Sequence, residues 1–474
     1  MIERLSSDSR RCAPGVAFLA YPGATADGRD HIPEAIARGA AGVLWEADGY
    51  AWRDEWRVPN APVRALKQQA GLLAHEFYGQ PSEALRTCGV TGTNGKASCS
   101  QWIAAVLGDA GAKCGVIGTL GAGFPGALAD AGNTTPDALE LHRLLAGMRS
   151  QDAAAVAMEV SSHGLAQGRV NGVAFDCALF TNLTHDHLDY HGSLDAYAAA
   201  KARLFESEGL ACAVLNLDDA FGVHLAARLR ERGLRTIGYS LSPAAVAPGS
   251  VTEFVAAVRI APQRLELATS WGEAQTEFFQ LGRFNVANAL GVLGCLLTFG
   301  LPFGQAVAAL ASLPAVRGRM QRVGEAPLTV IDYAHSPDAL DKVLQVLRSV
   351  ADARRGRLVA VFGAGGDRDR SKRPLMGAVA SRLADRIVLT SDNPRSEDPL
   401  AIIHEIESGV RAQHAVEADR ARAIESAIAQ AADADVVLIS GKGHESWQET
   451  GGRRLPFSDV AVAQAVLARR AGKR

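Results

Sequence analysis

The feature that most constrains this chain is a glycine-rich loop with a lysine, set between an apolar run and a helical stretch. Residues 89–98 read Gly-Val-Thr-Gly-Thr-Asn-Gly-Lys-Ala-Ser and overlap the apolar run 85–90. Beyond the loop, apolar side chains recur at helical spacing from Cys99 to Ala110. Strand, loop and helix in this order form a phosphate-binding loop, in which backbone N–H groups face anionic oxygens. The chain is therefore predicted to bind a nucleoside triphosphate, with Lys96 at the terminal phosphates.

The loop departs from the usual signature of such loops. A serine or threonine normally follows the lysine and binds Mg²⁺ through its hydroxyl. Here Ala97 occupies that position, Ser98 comes one residue later, and Val90 stands where the first glycine is usual. Either water replaces the missing hydroxyl, since Mg²⁺ keeps several waters, or the alanine weakens activity. The residues predicted to contact ATP in the loop are Gly92, Thr93, Asn94, Gly95, Lys96, Ala97 and Ser98.

Length and composition indicate a globular protein of several domains. A chain of 474 residues is too long for one core and suits two to four domains. The net charge of −2 argues against nucleic acid as a partner. Seven scattered cysteines suit a reducing compartment, and the polar N-terminus shows no secretory signal. We therefore expect a cytoplasmic protein with no nucleic-acid partner; a monomer without membrane insertion is a further expectation.

One uncharged stretch, 284–316, resembles a membrane span in composition. Gly300 and Pro302 divide it into two segments, each shorter than the roughly 20 residues that a span needs. Two buried helices are predicted there instead.

Three regions with different textures predict an α/β protein of three domains. The turn-rich region 1–86 forms the N-terminal domain; 87–315 forms a central domain with a P-loop-type parallel sheet and helices on both faces; and 316–474 forms a C-terminal Rossmann-like α/β domain. Apolar runs separated by helical stretches are typical of such sheets. The predicted strands are 87–90, 114–119, 153–159, 177–181, 211–217, 328–333, 358–362, 386–390 and 436–440.

Candidate metal ligands lie at strand ends and in a histidine-rich segment. Glu159 closes an apolar strand predicted to lie beside the loop, where a carboxylate suits Mg²⁺; a strand-end salt bridge is the alternative. In the segment 185–191, His187 is favoured as a second Mg²⁺ ligand or a proton acceptor, although these side chains also suit mutual pairing. Lys201 lies in the helical run 197–205 and reads as a surface lysine.

Arg395 is a candidate binder of a carboxylate. It follows Asp392, Asn393 and Pro394, and the proline restricts the turn before the arginine. A rigidly presented guanidinium suits the two-pronged grip of a carboxylate. A loop arginine in solvent is the alternative.

Motifs along the whole chain resemble those of the Mur ligases, and taken together they are specific for that family. They are Asp-Ser-Arg at 8–10, Asp-Gly-Arg at 27–29, Thr-Gly-Thr-Asn-Gly-Lys at 91–96, Asn-Thr-Thr-Pro-Asp at 133–137, Met-Glu-Val-Ser-Ser-His-Gly-Leu at 158–165, Thr-Asn at 181–182, Asp-His-Leu-Asp-Tyr-His-Gly at 186–192, Gly-Arg-Met-Gln at 318–321, Asp-Tyr-Ala-His at 332–335, Asp-Asn-Pro-Arg at 392–395 and Gly-Lys-Gly-His-Glu at 441–445.

The resemblance implies an ATP-dependent amide ligase of peptidoglycan precursor synthesis. It would add meso-2,6-diaminopimelate to the γ-carboxylate of D-Glu in UDP-N-acetylmuramoyl-L-alanyl-D-glutamate, through an acyl phosphate. The N-terminal domain would bind the UDP end, with Ser9 as a contact. Lys96, His187 and Lys201 would be catalytic, and Glu159, His187 and a carbamylated Lys201 would hold Mg²⁺.

The resemblance also implies three sets of binding residues. The Asp-Asn-Pro-Arg motif marks members that take diaminopimelate, and Arg395 is a suitable partner for its extra carboxylate, while Glu445 suits its distal ammonium. Further ATP contacts are Asn288, Arg319, Asp332 and His335. The muramoyl-peptide contacts are Asn133, Thr134, Thr135, Ser161, Gln167 and Arg169. The amino-acid contacts are Arg368, Asp392, Asn393, Pro394, Arg395, Gly441 and Glu445.

Two alternatives remain open from the sequence. One is a ligase of the same family that adds L-lysine, against which the Asp-Asn-Pro-Arg motif speaks. The other is a catalytically impaired nucleotide-binding paralogue, a reading motivated by Ala97.

Overall fold

The computed structural model describes residues 1–23, 26–261 and 263–472. Two compact units make up the chain. The first contains Met1–Leu183, Ser193–Thr276 and Ala289–Leu310; the second contains Thr184–Gly192, Glu277–Asn288 and the chain from Ala311 onward.

A four-stranded parallel sheet forms the N-terminal part of the first unit. Its strands follow chain order and are Arg4–Ser6, Val16–Ala20, Gly42–Glu46 and Asn60–Val63. The helices are Ile32–Ala37 and Leu66–Phe77, with short 3₁₀ turns at Ser9–Arg11, Gly28–His31 and Pro81–Ala84. The sequence analysis did not identify this sheet, since only Val16–Ala20 is buried at every position.

An eleven-stranded sheet forms the rest of the first unit, with seven parallel strands at its centre. In spatial order these are Cys114–Gly118, Ala155–Glu159, Arg86–Thr91, Cys177–Phe180, Cys212–Asn216, Arg235–Ser240 and Glu253–Ala261. Antiparallel strands extend both edges at Gly121–Phe124, Ala127–Ala129, Arg264–Thr269 and Gly272–Glu277. The helices between the parallel strands are Lys96–Asp109, Ala138–Arg149, Ser162–Ala166, Leu194–Ala202 and Ala220–Glu231, with a 3₁₀ turn at Arg203–Glu206 and another at Pro243–Ala245.

The uncharged stretch forms two helices, as predicted. They are Arg283–Thr298 and Phe303–Ala309, and Gly300, at a φ of +79°, lies between them. Across the described residues, every helix is too short or too polar to cross a membrane.

The second unit has a six-stranded sheet whose two faces are both covered. In spatial order its strands are Gln321–Glu325, Leu328–Asp332, Val436–Ser440, Leu358–Phe362, Arg386–Leu389 and His414–Val416, of which the first is antiparallel. Val330 and Leu438 pack into one core, whereas their neighbours Ile331 and Ile439 pack into another. Because side chains alternate along a strand, continuous apolar runs are required here. The helices are Leu188–His191, Pro337–Arg354, Lys372–Leu383, Pro399–Glu407, Arg420–Gln430 and Asp459–Ala471, and a hairpin joins Trp447–Thr450 to Arg453–Pro456.

All seven cysteines are buried free thiols. Cys88, Cys177 and Cys295 have their sulfur atoms within 4.8 Å of one another, in the interior of the first unit. Buried thiols of this kind pack as small apolar side chains. Burial raises the pKa of the Cys114 thiol to about 12 and so keeps it protonated.

Candidate active site

The phosphate-binding loop has the local structure that the sequence predicts. Strand Arg86–Thr91 ends at the loop, and helix Lys96–Asp109 begins at the lysine. Gly92 and Gly95 take φ values of +145° and +93°, a conformation in which most side chains are strained. The two glycines therefore allow the chain to turn from strand to helix and leave backbone N–H groups around the turn.

The neighbouring strand end holds the loop in place through Thr181 and Asn182. The N–H groups of Thr93 and Asn94 donate to Asn182 O and Oδ1 at 2.8 and 3.0 Å. The Asn182 amide and the Thr181 hydroxyl donate to Asn94 O at 3.0 and 2.6 Å. A Cβ on Gly92 would lie 1.9 Å from Thr181 Oγ1, so only glycine fits there. The sequence analysis quoted this Thr-Asn pair as a motif but gave it no role.

Lys96 lies against the loop. Its ammonium donates to Gly92 O and Thr93 O, both at 2.9 Å. Ala97 and Ser98 are buried at 3% and 6% exposure, at the start of the helix. Ala97 offers no oxygen to a metal ion, as the sequence already indicated.

Glu159 lies at the end of the strand next to the loop strand. Val90 is its partner in the register of the two strands, and the carboxylate is only 2% exposed. Its oxygens accept the Thr119 N–H at 2.7 Å and the Thr119 hydroxyl at 3.1 Å. A carboxylate has about four acceptor sites. The side chain therefore fits a role as a Mg²⁺ ligand while its orientation is set by Thr119.

The expectation that Lys201 is a surface lysine is wrong. The residue is 1% exposed on helix Leu194–Ala202, and its ammonium donates to Gly92 O at 2.8 Å. The ammonium also lies 4.3 Å from the ring centroid of Tyr197. An ammonium group offers no lone pair to Mg²⁺, so this side chain fits a metal site only after carbamylation.

His187 lies in the segment Thr184–Gly192, which belongs to the second unit. Its backbone is left-handed, at a φ of +54°, and its Nε2 lies 3.5 Å from Asp186 Oδ2. The pairing with Asp186 matches the alternative in which these side chains satisfy one another.

Five of the six residues expected to contact the muramoyl-peptide form a hydrogen-bonded cluster near Glu159, and Asn133 is not part of it. Thr134 Oγ1 lies 2.9 Å from the same Thr119 hydroxyl that donates to Glu159. Thr135 is fully buried and donates to Glu159 O at 3.0 Å. Ser161 N–H donates to Thr135 Oγ1 at 3.0 Å.

Arg169 also belongs to this hydrogen-bonded cluster. Its guanidinium donates to Thr135 O at 2.7 Å and, through two nitrogens, to Gln167 Oε1 at 3.0 and 2.7 Å. A cavity of about 250 Å³ in the same unit is lined by Asn133 among other residues. Ser9 is absent from that lining, and its hydroxyl donates to Glu34 Oε2 at 2.8 Å.

Four residues that are expected to contact ATP belong to the second unit, and some of them are buried. Asp332 accepts from the N–H groups of Met320 and Ala334, both at 2.7 Å, and burial raises the pKa of its carboxyl. Arg319 lies over the Tyr333 ring at 4.4 Å from the centroid. His335 Nδ1 lies 2.8 Å from Tyr333 O, and burial lowers the pKa of the imidazole. Asn288 is 6% exposed, on helix Arg283–Thr298.

Arg395 is held rigidly and does not extend into solvent. Its φ is +56°, its N–H donates to Glu449 O at 3.0 Å, and its Nη1 donates to Gly366 O at 2.6 Å. A Cβ on Gly365 would lie 2.9 Å from Arg395 Nη1 and 3.7 Å from Cγ of the exposed Arg368. The two arginines therefore flank one glycine, and both bring positive charge to this loop.

Asp392 and Gly441 follow two strands of the same sheet, Arg386–Leu389 and Val436–Ser440, which are separated by Leu358–Phe362, and the buried Pro394 follows in the same motif as Asp392. Asp392 is 7% exposed, and its Oδ2 has no hydrogen-bond partner among the described residues. Gly441 takes a φ of +117°, and a Cβ there would lie 2.3 Å from that same Oδ2. A larger residue at 441 would therefore occupy the space beside the carboxylate.

Glu445 and Asn393 are joined by a residue that the sequence analysis did not select. The Lys442 ammonium donates to Glu445 Oε2 at 2.7 Å and to Asn393 Oδ1 at 2.9 Å. Its position in the Gly-Lys-Gly-His-Glu motif was the only available signal. Burial of the ammonium is visible only in the fold.

Family models match most of the chain. The Mur ligase middle domain matches residues 90–296, the glutamate ligase domain of Mur ligases matches 318–443, and the catalytic domain of the Mur ligase family matches 1–78.

Full-length relatives share about half of their residues with this chain. A UDP-N-acetylmuramoyl-L-alanyl-D-glutamate–2,6-diaminopimelate ligase of Chromobacterium violaceum is 51% identical, over 98% of this chain and 94% of the relative. An enzyme of the same name from Pseudomonas aeruginosa is 49% identical, over 99% and 95%.

Solved structures agree in fold. The structure of a ligase with the same name is 35% identical, with a TM-score of 0.69 over 99% of this chain and 95% of that one. MurF ligase from Thermotoga maritima in complex with ADP is 18% identical, with a TM-score of 0.67 over 100% and 98%, and shares the fold alone.

Proposed function

Because this chain belongs to the Mur ligase family, we propose that it joins meso-2,6-diaminopimelate to the γ-carboxylate of D-Glu in UDP-N-acetylmuramoyl-L-alanyl-D-glutamate, at the expense of ATP. The observation that carries the choice of amino acid is the rigid Arg395 beside Arg368. Diaminopimelate differs from lysine by a carboxylate at its far end, and a guanidinium is the preferred partner of a carboxylate.

Three regions divide the work in this proposal. Residues 1–86 bind the UDP end, 87–315 bind ATP and Mg²⁺, and 316–474 bind the amino acid. Asn133, Thr134, Thr135, Ser161, Gln167 and Arg169 hold the muramoyl-peptide, and the hydrogen bonds of the last five support this grouping. A reaction that consumes ATP and a nucleotide-linked sugar belongs in the cytoplasm.

The chemical difficulty is that a carboxylate resists attack by an amine. In the proposed reaction a γ-carboxylate oxygen attacks the γ-phosphorus of ATP, and the bond to ADP breaks. The amine then attacks the acyl carbon, loses a proton, and inorganic phosphate leaves. The protein contributes alignment and charge neutralisation.

Several residues of the first unit suit these tasks. Lys96 exchanges its carbonyl acceptors for phosphate oxygens, and the loop N–H groups that Asn182 does not hold bind the same phosphates. When bound, Mg²⁺ would neutralise phosphate charge, and Glu159 with a carbamylated Lys201 would hold it. Thr181 and Asn182 keep the loop in its binding conformation.

The proposal is tested by an assay of ADP formation with the UDP-muramoyl-dipeptide, ATP and Mg²⁺. Meso-diaminopimelate, L-lysine and no amino acid are compared. We expect ADP release to require both substrates and to be fastest with diaminopimelate. Lys96→Ala is the matched loss-of-function control, since it removes the loop cation but no amino-acid contact.

Two results would contradict the proposal. Faster turnover of lysine than of diaminopimelate would assign the chain to the lysine-adding ligases. Intact ATP binding without turnover of any amino acid would identify an impaired paralogue and would attribute the loss to Ala97.

A further inference from the structure

A buried cation joins the two motifs assigned to the amino acid. The Lys442 side chain is 0% exposed, yet the residue carries an ammonium group. Burial of such a charge is costly unless anions or dipoles pair with it. The acceptors are Glu445 Oε2 and Asn393 Oδ1, at 2.7 and 2.9 Å. The ring of Trp447 adds a cation–π contact at 5.4 Å.

Lys442 also fixes the orientation of the Asn393 amide. Asn393 Oδ1 accepts both the Lys442 ammonium and the Glu449 N–H, the latter at 3.0 Å. Asn393 Nδ2 consequently faces Glu445 and donates to its Oε2 at 2.8 Å. Two donors, the Lys442 ammonium and the Glu449 N–H, face the amide oxygen. In the reversed orientation they would face the amide NH₂ group, which is itself a donor.

Glu445 is bound at one oxygen only. Its Oε2 accepts two hydrogen bonds, from Lys442 and Asn393, whereas its Oε1 accepts none from the described residues. The side chain remains 16% exposed. One carboxylate oxygen is thus anchored and the other retains its acceptor capacity for a cationic group.

The backbone on either side of Lys442 restricts where its side chain can lie. Gly441 and Gly443 on either side have φ values of +117° and +55°. Their Cβ positions would lie 2.3 Å from Asp392 Oδ2 and 2.8 Å from the Cβ of Tyr333. Close packing on both sides directs the lysine into the interior.

We propose that Lys442 is a positioning residue that sets amino-acid specificity: through Asn393 and Glu445, it presents one carboxylate oxygen to the distal ammonium of a diamino-acid substrate. This inference rests on the proposed function. Lys442 touches no substrate in this proposal; it holds the groups that do.

The first test compares Lys442→Met with Lys342→Met in the full-length enzyme. Lys342 is a matched control because it pairs with Asp338 on the exposed side of helix Pro337–Arg354, in the same unit. We expect Lys442→Met to raise KM for meso-diaminopimelate about tenfold or more, as the loss of a charge-assisted hydrogen bond does. KM for ATP and for the UDP-muramoyl-dipeptide should change by less than about twofold. A general loss of structure would change these two KM values as well.

The second test is a double-mutant cycle with Glu445→Gln. If Lys442 acts through Glu445, the double variant should have a KM for diaminopimelate close to that of Glu445→Gln alone. Multiplicative effects of the two substitutions would overturn the inference, as would an unchanged KM in Lys442→Met. Should the methionine variant unfold, Lys442→Gln, which keeps a donor, is compared in the same cycle. A wild-type enzyme that does not use diaminopimelate refutes the proposed function instead.

Discussion

At the scale of single residues, two positions matter for the proposed function. Ala97 lacks the hydroxyl expected after the loop lysine, whereas Arg395 is held by backbone contacts in a left-handed conformation. The first bears on metal binding and the second on the choice of amino acid, so they are testable separately.

We expect Ala97→Thr to lower the Mg²⁺ concentration needed for half-maximal ADP formation, because the hydroxyl supplies a ligand at the usual position. The measurement is a Mg²⁺ titration of the assay. Ala105→Thr, on the same helix, is the control. An unchanged Mg²⁺ requirement would mean that another group already fills the site.

Arg395→Lys should raise KM for meso-diaminopimelate about tenfold, because lysine keeps the charge but loses the two-pronged geometry. Steady-state kinetics with diaminopimelate and L-lysine measure the effect. Arg453→Lys, at an exposed position of the hairpin, should leave both values unchanged. Equal kinetics for Arg395→Lys and wild type would remove Arg395 from the selectivity argument.

At the scale of elements, a buried histidine lies between packed helices. His142 is fully buried on helix Ala138–Arg149, and its Nε2 lies 2.9 Å from Asn171 O. Its ring lies 5.3 Å from that of His75 on helix Leu66–Phe77. Burial lowers the pKa of His142 to about 4, so the imidazole is neutral in the fold.

This histidine predicts a pH dependence of stability. Between pH 6.5 and about 4 the unfolded chain binds a proton that the folded chain does not, so the free energy of unfolding falls as pH falls. The expected loss is about 3 kcal/mol across this window. Denaturant unfolding of wild type and His142→Gln measures it, since glutamine keeps a donor but does not titrate. The same slope in both proteins would exclude His142 as the cause.

At the scale of the whole molecule, the two compact units have separate cores. The second unit also contains a fully buried ion pair: Arg420 and Asp459 are both 0% exposed and meet at 2.7 Å. The same guanidinium donates to Ser391 O and Ser440 O, just before Asp392 and Gly441. The ion pair therefore also holds the backbone just before the two motifs that are proposed to bind the amino acid.

Arg420→Met should lower the free energy of unfolding of the second unit by about 3–5 kcal/mol, because it leaves Asp459 buried without its partner. The thermal transition of that unit should therefore move to a lower temperature. Differential scanning calorimetry should show the transition of the first unit unchanged. Arg422→Met, which replaces an exposed arginine, is the control. A common downward shift of all transitions would contradict independent cores.

The sequence by itself determined the features that depend on neighbouring residues. The strand, loop and helix at Lys96 were predicted, and so were the buried strands, such as 358–362 and 436–440, because continuous apolar runs between helical stretches have few other solutions. The four-stranded N-terminal sheet and the antiparallel edge strands were missed, since short, partly exposed strands carry little apolar signal.

Only the tertiary structure decided how distant residues meet. Lys201 is buried because its ammonium reaches Gly92 O, 109 positions away in the chain. Lys442 reaches Asn393 across 49 positions, and Thr181 holds Asn94 across 87. The local sequence pattern shows which side chains are polar and which are apolar. A buried charge, however, depends on acceptors that come near it only when the chain folds.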